Sequence, residues 1–473
     1  MHQRRVSCFL AILVACIAGV GPGCKQKDGT APEPASLLAA SVDAAAGVAV
    51  AASDAGSDAA SSVAACAPLD PETVAPFAEC DTKIVKTPVP AIEDPKRSLD
   101  AFYEKLAALE RGTADRPVRI AIYGDSNLTS DFMPGHLRRV LQARYGDAGH
   151  GYVALSRPWL SYRHEDVTMG GWWGPPFTYC SPTTNLCHDK HYGFANLASE
   201  TGEQGMQVWA GTSKDPKGVV GKKVSHFELH YALRPGGGSF VVQIDKKDVQ
   251  TIATKADEWG VTTASFDVEA GEHELRCVAR GDGKVRWYGV SLDCPGEKAK
   301  PGIQIDSLGT GAMNYERFKW VADDTRREQL KKRDYDAVIV WLGANVMWVP
   351  PNREFAKDWI AQLRAAKPDM PILIMSPGDT VRGDEKKSDP RIIALTKQLR
   401  EVAEETGVAF WDFREAMGGD ASAIPFSKRG LMGGDRIHFG PEGSAVMGNR
   451  LLCAMTASFG GYVREHGTAG CRK

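Results

Sequence analysis

Residues 118–127 read VRIAIYGDSN, an apolar run that stops abruptly at a glycine and an aspartate. The run from Val118 to Tyr123 has the length and the β-branched content of a buried strand. Apolar residues at helical spacing follow at positions 137, 140 and 141, and Gly146 ends that predicted helix. A strand, a tight turn and a helix in this order are typical of an α/β protein.

The same alternation resumes after residue 303. Strands are predicted there at 338–342, 372–375 and 408–413, and helices around 355–363, around 392–402 and at 443–455. One more helix is predicted at 98–111, before the first strand. Strands that alternate with helices imply a mostly parallel sheet. The sequence therefore predicts one α/β domain made of two separate parts of the chain.

The intervening stretch, residues 151–300, has a different pattern. Short alternating runs occur at 226–233, 239–244, 261–268, 272–279 and 285–292, with glycine-rich turns between them. Several short strands at this spacing indicate a β-sandwich. We therefore predict a first part of the α/β domain at 83–150, an inserted β-sandwich module at 151–300, and a second part at 301–473.

The N-terminus has the pattern of an export signal. Arg4 and Arg5 precede an apolar run, and small residues lead to Cys24. Residues 1–24 are predicted to be a lipoprotein-type signal peptide with Cys24 as the lipidated residue, although a plain secretory signal remains the alternative. Residues 25–82, rich in Ala, Ser and Pro, are predicted to be a disordered tether. We therefore expect an exported protein of the cell envelope, in the periplasm or at the cell surface.

The cysteine count and the net charge indicate which crosslinks and binding partners to expect. Eight cysteines follow Cys24, and an even number in an exported chain suggests disulfides. The working hypothesis is nearest-neighbour pairing, which gives Cys66–Cys80, Cys180–Cys187, Cys277–Cys294 and Cys453–Cys471. No metal site is predicted, because a loop disulfide explains Cys180 and Cys187 as well as a zinc site would. The net charge of −2 gives no reason to expect nucleic acid, and a membrane is expected only through the lipid anchor.

Four segments carry residues suited to catalysis at the ends of predicted strands. They are Ser126 in Gly-Asp-Ser-Asn, the glycines of Asp-Ser-Leu-Gly-Thr-Gly at 306–311, Asn345 in Gly-Ala-Asn, and Asp435 with His438 in Asp-Arg-Ile-His. Hydrolysis through serine needs an imidazole base and a carboxylate that orients it. A glycine N–H and an asparagine amide can stabilise the oxyanion.

In this combination and order, the four segments resemble those of the SGNH/GDSL hydrolases. The resemblance implies a flavodoxin-like three-layer α/β/α fold and a catalytic triad of Ser126, His438 and Asp435. It also implies an oxyanion hole made by Ser126, by Gly309 or Gly311, and by Asn345. No metal or cofactor is required for this chemistry.

A narrower resemblance comes from Arg-Pro-Val at 116–118, Gly-Asp-Ala-Gly-His-Gly at 146–151 and Tyr-Gly-Val at 288–290. These segments are similar to those of bacterial peptidoglycan O-acetylesterases, which carry an inserted, carbohydrate-binding-like β-sandwich. That resemblance implies an O-acetylated glycan as the substrate. Trp172, Trp173 and Tyr179 are candidates for stacking on sugar rings, and packing of the sandwich core is the alternative role for them. Asn127 and Val346 depart from the usual family residues, which places the substrate detail in question more than the chemistry.

Three alternatives remain open at this stage. A glycan O-acetyltransferase would use the same triad. A lipase or thioesterase would share the fold, although the polar aromatic insert suits glycan better. A catalytically silent, cell-wall-binding lipoprotein would keep the fold without the reaction.

Overall fold

The computed structural model describes residues 68–72, 74–159, 161–171, 177–181, 183, 187, 189–296, 300–346 and 352–467. The predicted signal peptide, Cys24, most of the predicted tether, Trp172 and Trp173 lie outside the described residues. No helix within these ranges is long and apolar enough to cross a membrane.

Eight helices and sixteen strands are found among the described residues. The helices are α1 Asp100–Glu110, α2 Phe132–Tyr145, α3 Asp323–Arg333, α4 Arg353–Ala366, α5 Pro390–Thr406, α6 Phe413–Ala416, α7 Ala423–Lys428 and α8 Pro441–His466. The strands are β1 Val118–Gly124, β2 Gly151–Ala154, β3 Val167–Gly171, β4 Phe177–Cys180, β5 Ala198–Thr201, β6 Gln207–Thr212, β7 Val224–Leu233, β8 Ser239–Ile244, β9 Lys247–Ala253, β10 Gly260–Gly271, β11 Glu274–Ala279, β12 Val285–Asp293, β13 Ile303–Gly309, β14 Ala337–Trp341, β15 Ile372–Met375 and β16 Ala409–Trp411.

The α/β domain is built on a parallel sheet with the strand order β13-β1-β14-β15-β16. Counted within this domain alone, the order is 2-1-3-4-5, which is that of the flavodoxin-like folds. Alternate residues of the strands point to opposite faces. Ile120 and Ile122 of β1 pack with α1, α2 and α8, whereas Ala121 and Tyr123 pack with α3, α4 and α5. The predicted three-layer α/β/α fold is therefore confirmed.

Two antiparallel sheets lie between β1 and β13 in the sequence. One has the order β10-β7-β12-β5-β4 with β2 added to β12, and the other has the order β3-β6-β11-β8-β9. Their inward-facing side chains, including Phe227, Phe240, Leu275 and Trp287, form one common hydrophobic core. Two stacked antiparallel sheets of this kind are a β-sandwich.

The chain enters and leaves the sandwich at adjacent points. Ile303 N–H donates to Gly146 O at 3.1 Å, and Cys294 N–H donates to Ala148 O at 2.9 Å. Gly149 has a φ of +95°, and a Cβ there would collide with the carbonyl oxygen of Leu292. Only glycine combines this left-handed backbone with so close a crossing of two chain segments.

The disulfide hypothesis is corrected by the structure. Cys80 pairs with Cys453 of α8, so neither cysteine bonds its predicted neighbour. Cys180, Cys187, Cys277 and Cys294 are free thiols, while Cys66 and Cys471 lie outside the described residues. Cys277 faces the sandwich core from β11, whereas Cys294 follows β12 of the other sheet, so closeness in sequence does not bring the two thiols together.

The predicted tether also ends earlier than residue 82. Phe77 is buried and packs against Tyr145 and Phe459. Arg450 of α8 lies among backbone carbonyls of the same N-terminal segment and donates to the oxygen of Cys80 at 3.0 Å. The residues on both sides of Cys80 are therefore part of the folded domain, because an apolar side chain, a disulfide and a buried guanidinium hold them to α8.

Candidate active site

Ser126 lies immediately beyond the carboxyl end of β1, at the first position of a short 3₁₀ helix. The preceding Asp125 is buried, and its carboxylate accepts hydrogen bonds from the backbone N–H groups of Asn127 at 3.1 Å, Gly343 at 3.2 Å and Ala344 at 3.0 Å. Burial raises the pKa of Asp125, and these three donors oppose that rise. Asp125 therefore ties the turn that carries Ser126 to the turn that carries Asn345.

Ser126, His438 and Asp435 meet at this edge of the sheet. Ser126 Oγ lies 2.8 Å from His438 Nε2, and His438 Nδ1 lies 2.6 Å from Asp435 Oδ2. The other Asp435 oxygen accepts the backbone N–H groups of Ile437 at 3.0 Å and of His438 at 3.2 Å. These contacts fix the carboxylate on the same tight turn as the imidazole.

The charge state of Asp435 suits a group that orients histidine. Burial by itself would raise the pKa of Asp435, but the hydrogen bonds from the His438 ring and from two backbone N–H groups lower it below the usual value. Asp435 is therefore ionised at neutral pH. Because Asp435 Oδ2 accepts a hydrogen bond from His438 Nδ1, the ring proton stays on Nδ1. Nε2 is then left as the acceptor that faces Ser126.

Asn127 contacts the histidine segment from the serine side. Its Oδ1 accepts the backbone N–H of Phe439, the residue after His438, at 3.1 Å. Its Nδ2 approaches Asp125 Oδ1 at 3.4 Å, which is consistent with this orientation of the amide. Asn127 is buried. Sequence reasoning treated Asn127 only as a departure from the family pattern and missed this contact between distant segments.

The candidate oxyanion residues follow β13 and β14. Gly309 ends β13 in register with Gly124, and Thr310 N–H donates to Gly124 O at 3.1 Å. Gly311 is the second residue beyond that strand. Asn345 donates one Nδ2 hydrogen to Met313 O at 3.0 Å, which holds its amide against the segment that follows Gly311.

The candidate sugar-stacking residues remain predictions. Tyr179 lies on β4 of the sandwich, in register with Ser199 of β5, and is half-buried. Trp172 and Trp173 lie outside the described residues.

One buried cluster in the described part of the chain has the side chains of a metal site. It consists of Asp131, His150 and His164, with His150 Nε2 lying 3.2 Å from His164 Nδ1. Burial lowers the pKa of His150 well below its usual value and lowers that of His164 to about 4, so both rings are neutral at pH 7. Both carboxylate oxygens of Asp131 already accept from Arg138, at 2.9 and 3.3 Å. A buried ion pair beside two neutral rings explains the cluster, because a metal cation there would face the Arg138 guanidinium.

Of the three residues in the predicted triad, Asp435 and His438 are exposed and Ser126 is half-buried. The side chains of Asp435 and His438 are each 48% exposed. A cleft lined by Gly343 and Asn314 opens nearby, but Ser126, His438 and Asp435 do not line it. The imidazole and the carboxylate are therefore accessible from outside the protein.

Comparisons with known proteins indicate the family that the chain resembles. Residues 279–446 match the model of the GDSL-like lipase/acylhydrolase family, a stretch that contains Gly309, Gly311, Asn345, Asp435 and His438. The resemblance to the SGNH/GDSL hydrolases is confirmed, and the class of enzyme is that of the carboxylic ester hydrolases. Ser126 lies outside the matched stretch, because it precedes the inserted sheets in the sequence.

A solved structure shares this fold. A peptidoglycan O-acetylesterase matches with a TM-score of 0.64 and 19% identity, over 79% of this chain and 99% of that one. A family two carbohydrate esterase from Clostridium thermocellum matches at 11% identity over 61% of this chain and 99% of that one, with a TM-score of 0.26. No curated protein sequence matched the chain.

Proposed function

We propose that the protein is a serine esterase that removes O-acetyl groups from a cell-envelope glycan, with peptidoglycan as the first candidate. The observation that carries the proposal is the continuous hydrogen-bonded chain from Ser126 Oγ through His438 to Asp435. The fold shared with a peptidoglycan O-acetylesterase and the exposure of His438 and Asp435 support an acetylated glycan as the substrate.

In the proposed reaction, His438 Nε2 takes the proton of Ser126 as Oγ forms a bond to the acetyl carbon. The imidazolium that results is stabilised by the ionised Asp435. The tetrahedral intermediate then breaks its bond to the sugar oxygen, which receives the proton from His438. A water molecule, deprotonated by the same nitrogen, attacks the acyl-enzyme and releases acetate with return of the proton to Ser126.

For the oxyanion hole we propose the N–H groups of Ser126 and Gly311 and the free Nδ2 hydrogen of Asn345. In a parallel ladder the N–H groups of successive residues point to opposite sides of the strand. Thr310 directs its N–H toward β1, so Gly309 directs its own away from β1 and from Ser126. Gly311 lies beyond the ladder and is free to turn its N–H toward the serine, which favours it over Gly309.

The proposed location is the cell envelope, with the mature chain exported and anchored through a lipid on Cys24. The disulfide between Cys80 and Cys453 supports an oxidising compartment. Mass spectrometry of the membrane fraction would detect the lipidated N-terminal peptide, and a mature chain that begins elsewhere would refute the anchor.

The test is release of acetate from O-acetylated peptidoglycan and from p-nitrophenyl acetate. Ser126→Ala is expected to lower kcat by a factor on the order of 10⁴ or more, since a triad without its nucleophile retains only binding and oxyanion stabilisation. His273→Ala is the matched control, because His273 Nδ1 lies 2.7 Å from Asp245 Oδ2 in a second His–Asp pair on the sandwich. Equal activity of wild type and Ser126→Ala would refute the proposal, and acetyl transfer to an added glycan without acetate release would identify a transferase.

A further inference from the structure

A loop of the inserted sheets lies along the turn that follows Ser126. This loop, residues 155–166 between β2 and β3, is described except for residue 160. Arg163 N–H donates to Thr129 O at 3.0 Å, and Ser130 Oγ donates to Ser161 O at 3.2 Å. These bonds place the loop within a few residues of the proposed nucleophile.

The base of the loop is fixed by the buried cluster around Asp131. Glu165 N–H donates to Asp131 Oδ2 at 2.9 Å, and the adjacent His164 contacts His150. Tyr162 is buried, and its N–H donates to Trp159 O at 3.0 Å. Buried groups that are bonded at several points do not move freely, so the position of Trp159 is set by the fold.

The indole of Trp159 rests directly on Gly311. A Cβ at Gly311 would lie 2.7 Å from Cζ2, 2.9 Å from Cε2 and 3.0 Å from Cη2 of that ring. Contacts this short are too close for a side chain, so glycine at this position is what admits the indole. Thr310 N–H donates to Gly124 O at 3.1 Å, so Gly311 lies one residue beyond a hydrogen bond to the strand that ends two residues before Ser126.

We propose that Trp159 forms one wall of the acyl-binding space and limits the enzyme to esters of short acyl groups such as acetyl. The inference rests on the proposed function, since it assigns the side chain that bounds the acyl group once Ser126 is the nucleophile. An acyl carbon bonded to Ser126 Oγ, with its oxygen directed at Gly311, carries its methyl group past the indole. A longer chain would have to displace a ring that the loop holds in place.

The experiment compares kcat/KM for p-nitrophenyl acetate, butyrate and hexanoate in wild type and Trp159→Ala. Wild type is expected to prefer acetate over butyrate by about tenfold or more, and Trp159→Ala is expected to reduce that preference to about threefold or less, because a pocket freed of the indole accepts extra methylenes. Trp159→Phe should fall between the two.

Trp209→Ala is the matched control, because the Trp209 indole also rests on a glycine, Gly170, but on the outer sheet of the sandwich. Its preference among the three esters should equal that of wild type. An unchanged preference in Trp159→Ala would overturn the inference, as would an equal loss of rate on all three esters in a variant whose circular dichroism matches wild type. Wild type that hydrolyses none of the esters would instead refute the proposed function.

Discussion

Asn127 offers a sharp test of how the active site is assembled. Its Oδ1 accepts the N–H of Phe439 at 3.1 Å, and the contact joins the serine turn to the histidine turn across 312 residues of sequence. Asn127→Ala removes the acceptor and leaves the Phe439 N–H without a partner in a buried position. An unsatisfied buried donor costs about 1–3 kcal/mol, so the free energy of unfolding should fall by that amount.

The catalytic effect of Asn127→Ala should exceed what the lost stability alone produces. His438 directly precedes Phe439, so a shift of the backbone at Phe439 also moves the His438 ring. In the wild-type structure His438 Nε2 lies 2.8 Å from Ser126 Oγ, and this distance would change. A displacement of about 1 Å in such a contact can lower kcat by about 100-fold. We expect kcat for p-nitrophenyl acetate to fall about 10- to 100-fold while KM changes little, since Asn127 is not proposed to bind substrate.

Asn352→Ala is the matched control for this measurement. Asn352 also accepts a backbone N–H through Oδ1, from Glu354 at 3.0 Å, but at the exposed N-terminus of α4. Loss of this cap should lower the free energy of unfolding by about 1 kcal/mol and leave kcat unchanged. If Asn127→Ala loses stability but keeps the wild-type kcat, the bond to Phe439 does not position His438 and the reasoning fails.

Two further predictions concern stability. The double substitution Cys80→Ser and Cys453→Ser removes a crosslink between residues 373 apart and should lower the free energy of unfolding by about 3 kcal/mol or more in urea denaturation; an unchanged midpoint would contradict the prediction. His164 has a pKa of about 4 in the fold, mainly through burial, against about 6.5 when unfolded, so the unfolded chain binds the extra proton and stability falls as the pH drops. From His164 alone the loss between pH 7.5 and pH 5 should be about 2 kcal/mol, and His164→Asn should flatten that slope; parallel slopes for both proteins would show that His164 is not the group responsible.

The sequence predicted much of the α/β domain because its strands are short apolar runs that end at functional turns. The strand at 372–375 has the predicted bounds, and the predicted strand at 118–123 extends by one residue to Gly124. β9 was missed, because most of its side chains are exposed and Ile252 is its only buried one. α8 runs eleven residues beyond the predicted end at Met455, through two glycines, because Phe459 and Val463 pack onto the core.

The proposed triad could be anticipated for a related reason. Ser126 follows the end of a parallel strand, where catalytic groups gather, and the Asp-x-x-His spacing before the last helix singled out His438, although 312 residues separate the two. In the structure His438 follows α7 and not a strand, so the strand-end argument holds for Ser126 alone. The contacts that orient them were not predictable, since the bond from Phe439 to Asn127 depends on the exact approach of two loops. The position of Trp159 on Gly311 and the pairing of Cys80 with Cys453 depend in the same way on tertiary packing, for which the sequence gives no periodic signal.

The adjacent ends of the inserted sheets give the impression of a module that could be removed and the chain rejoined. The contacts between the insert and the α/β domain contradict that impression. Phe194 O accepts a hydrogen bond from the hydroxyl of Tyr123 at 3.0 Å, and Ala195 O accepts one from the hydroxyl of Thr310 at 3.2 Å. A shortened chain would uncover the hydroxyl of Tyr123 in β1 and that of Thr310 beside the proposed oxyanion donor. The two parts are therefore packed as one unit, and a foreign sandwich grafted between the same two residues would not supply the acceptors of these two hydroxyls.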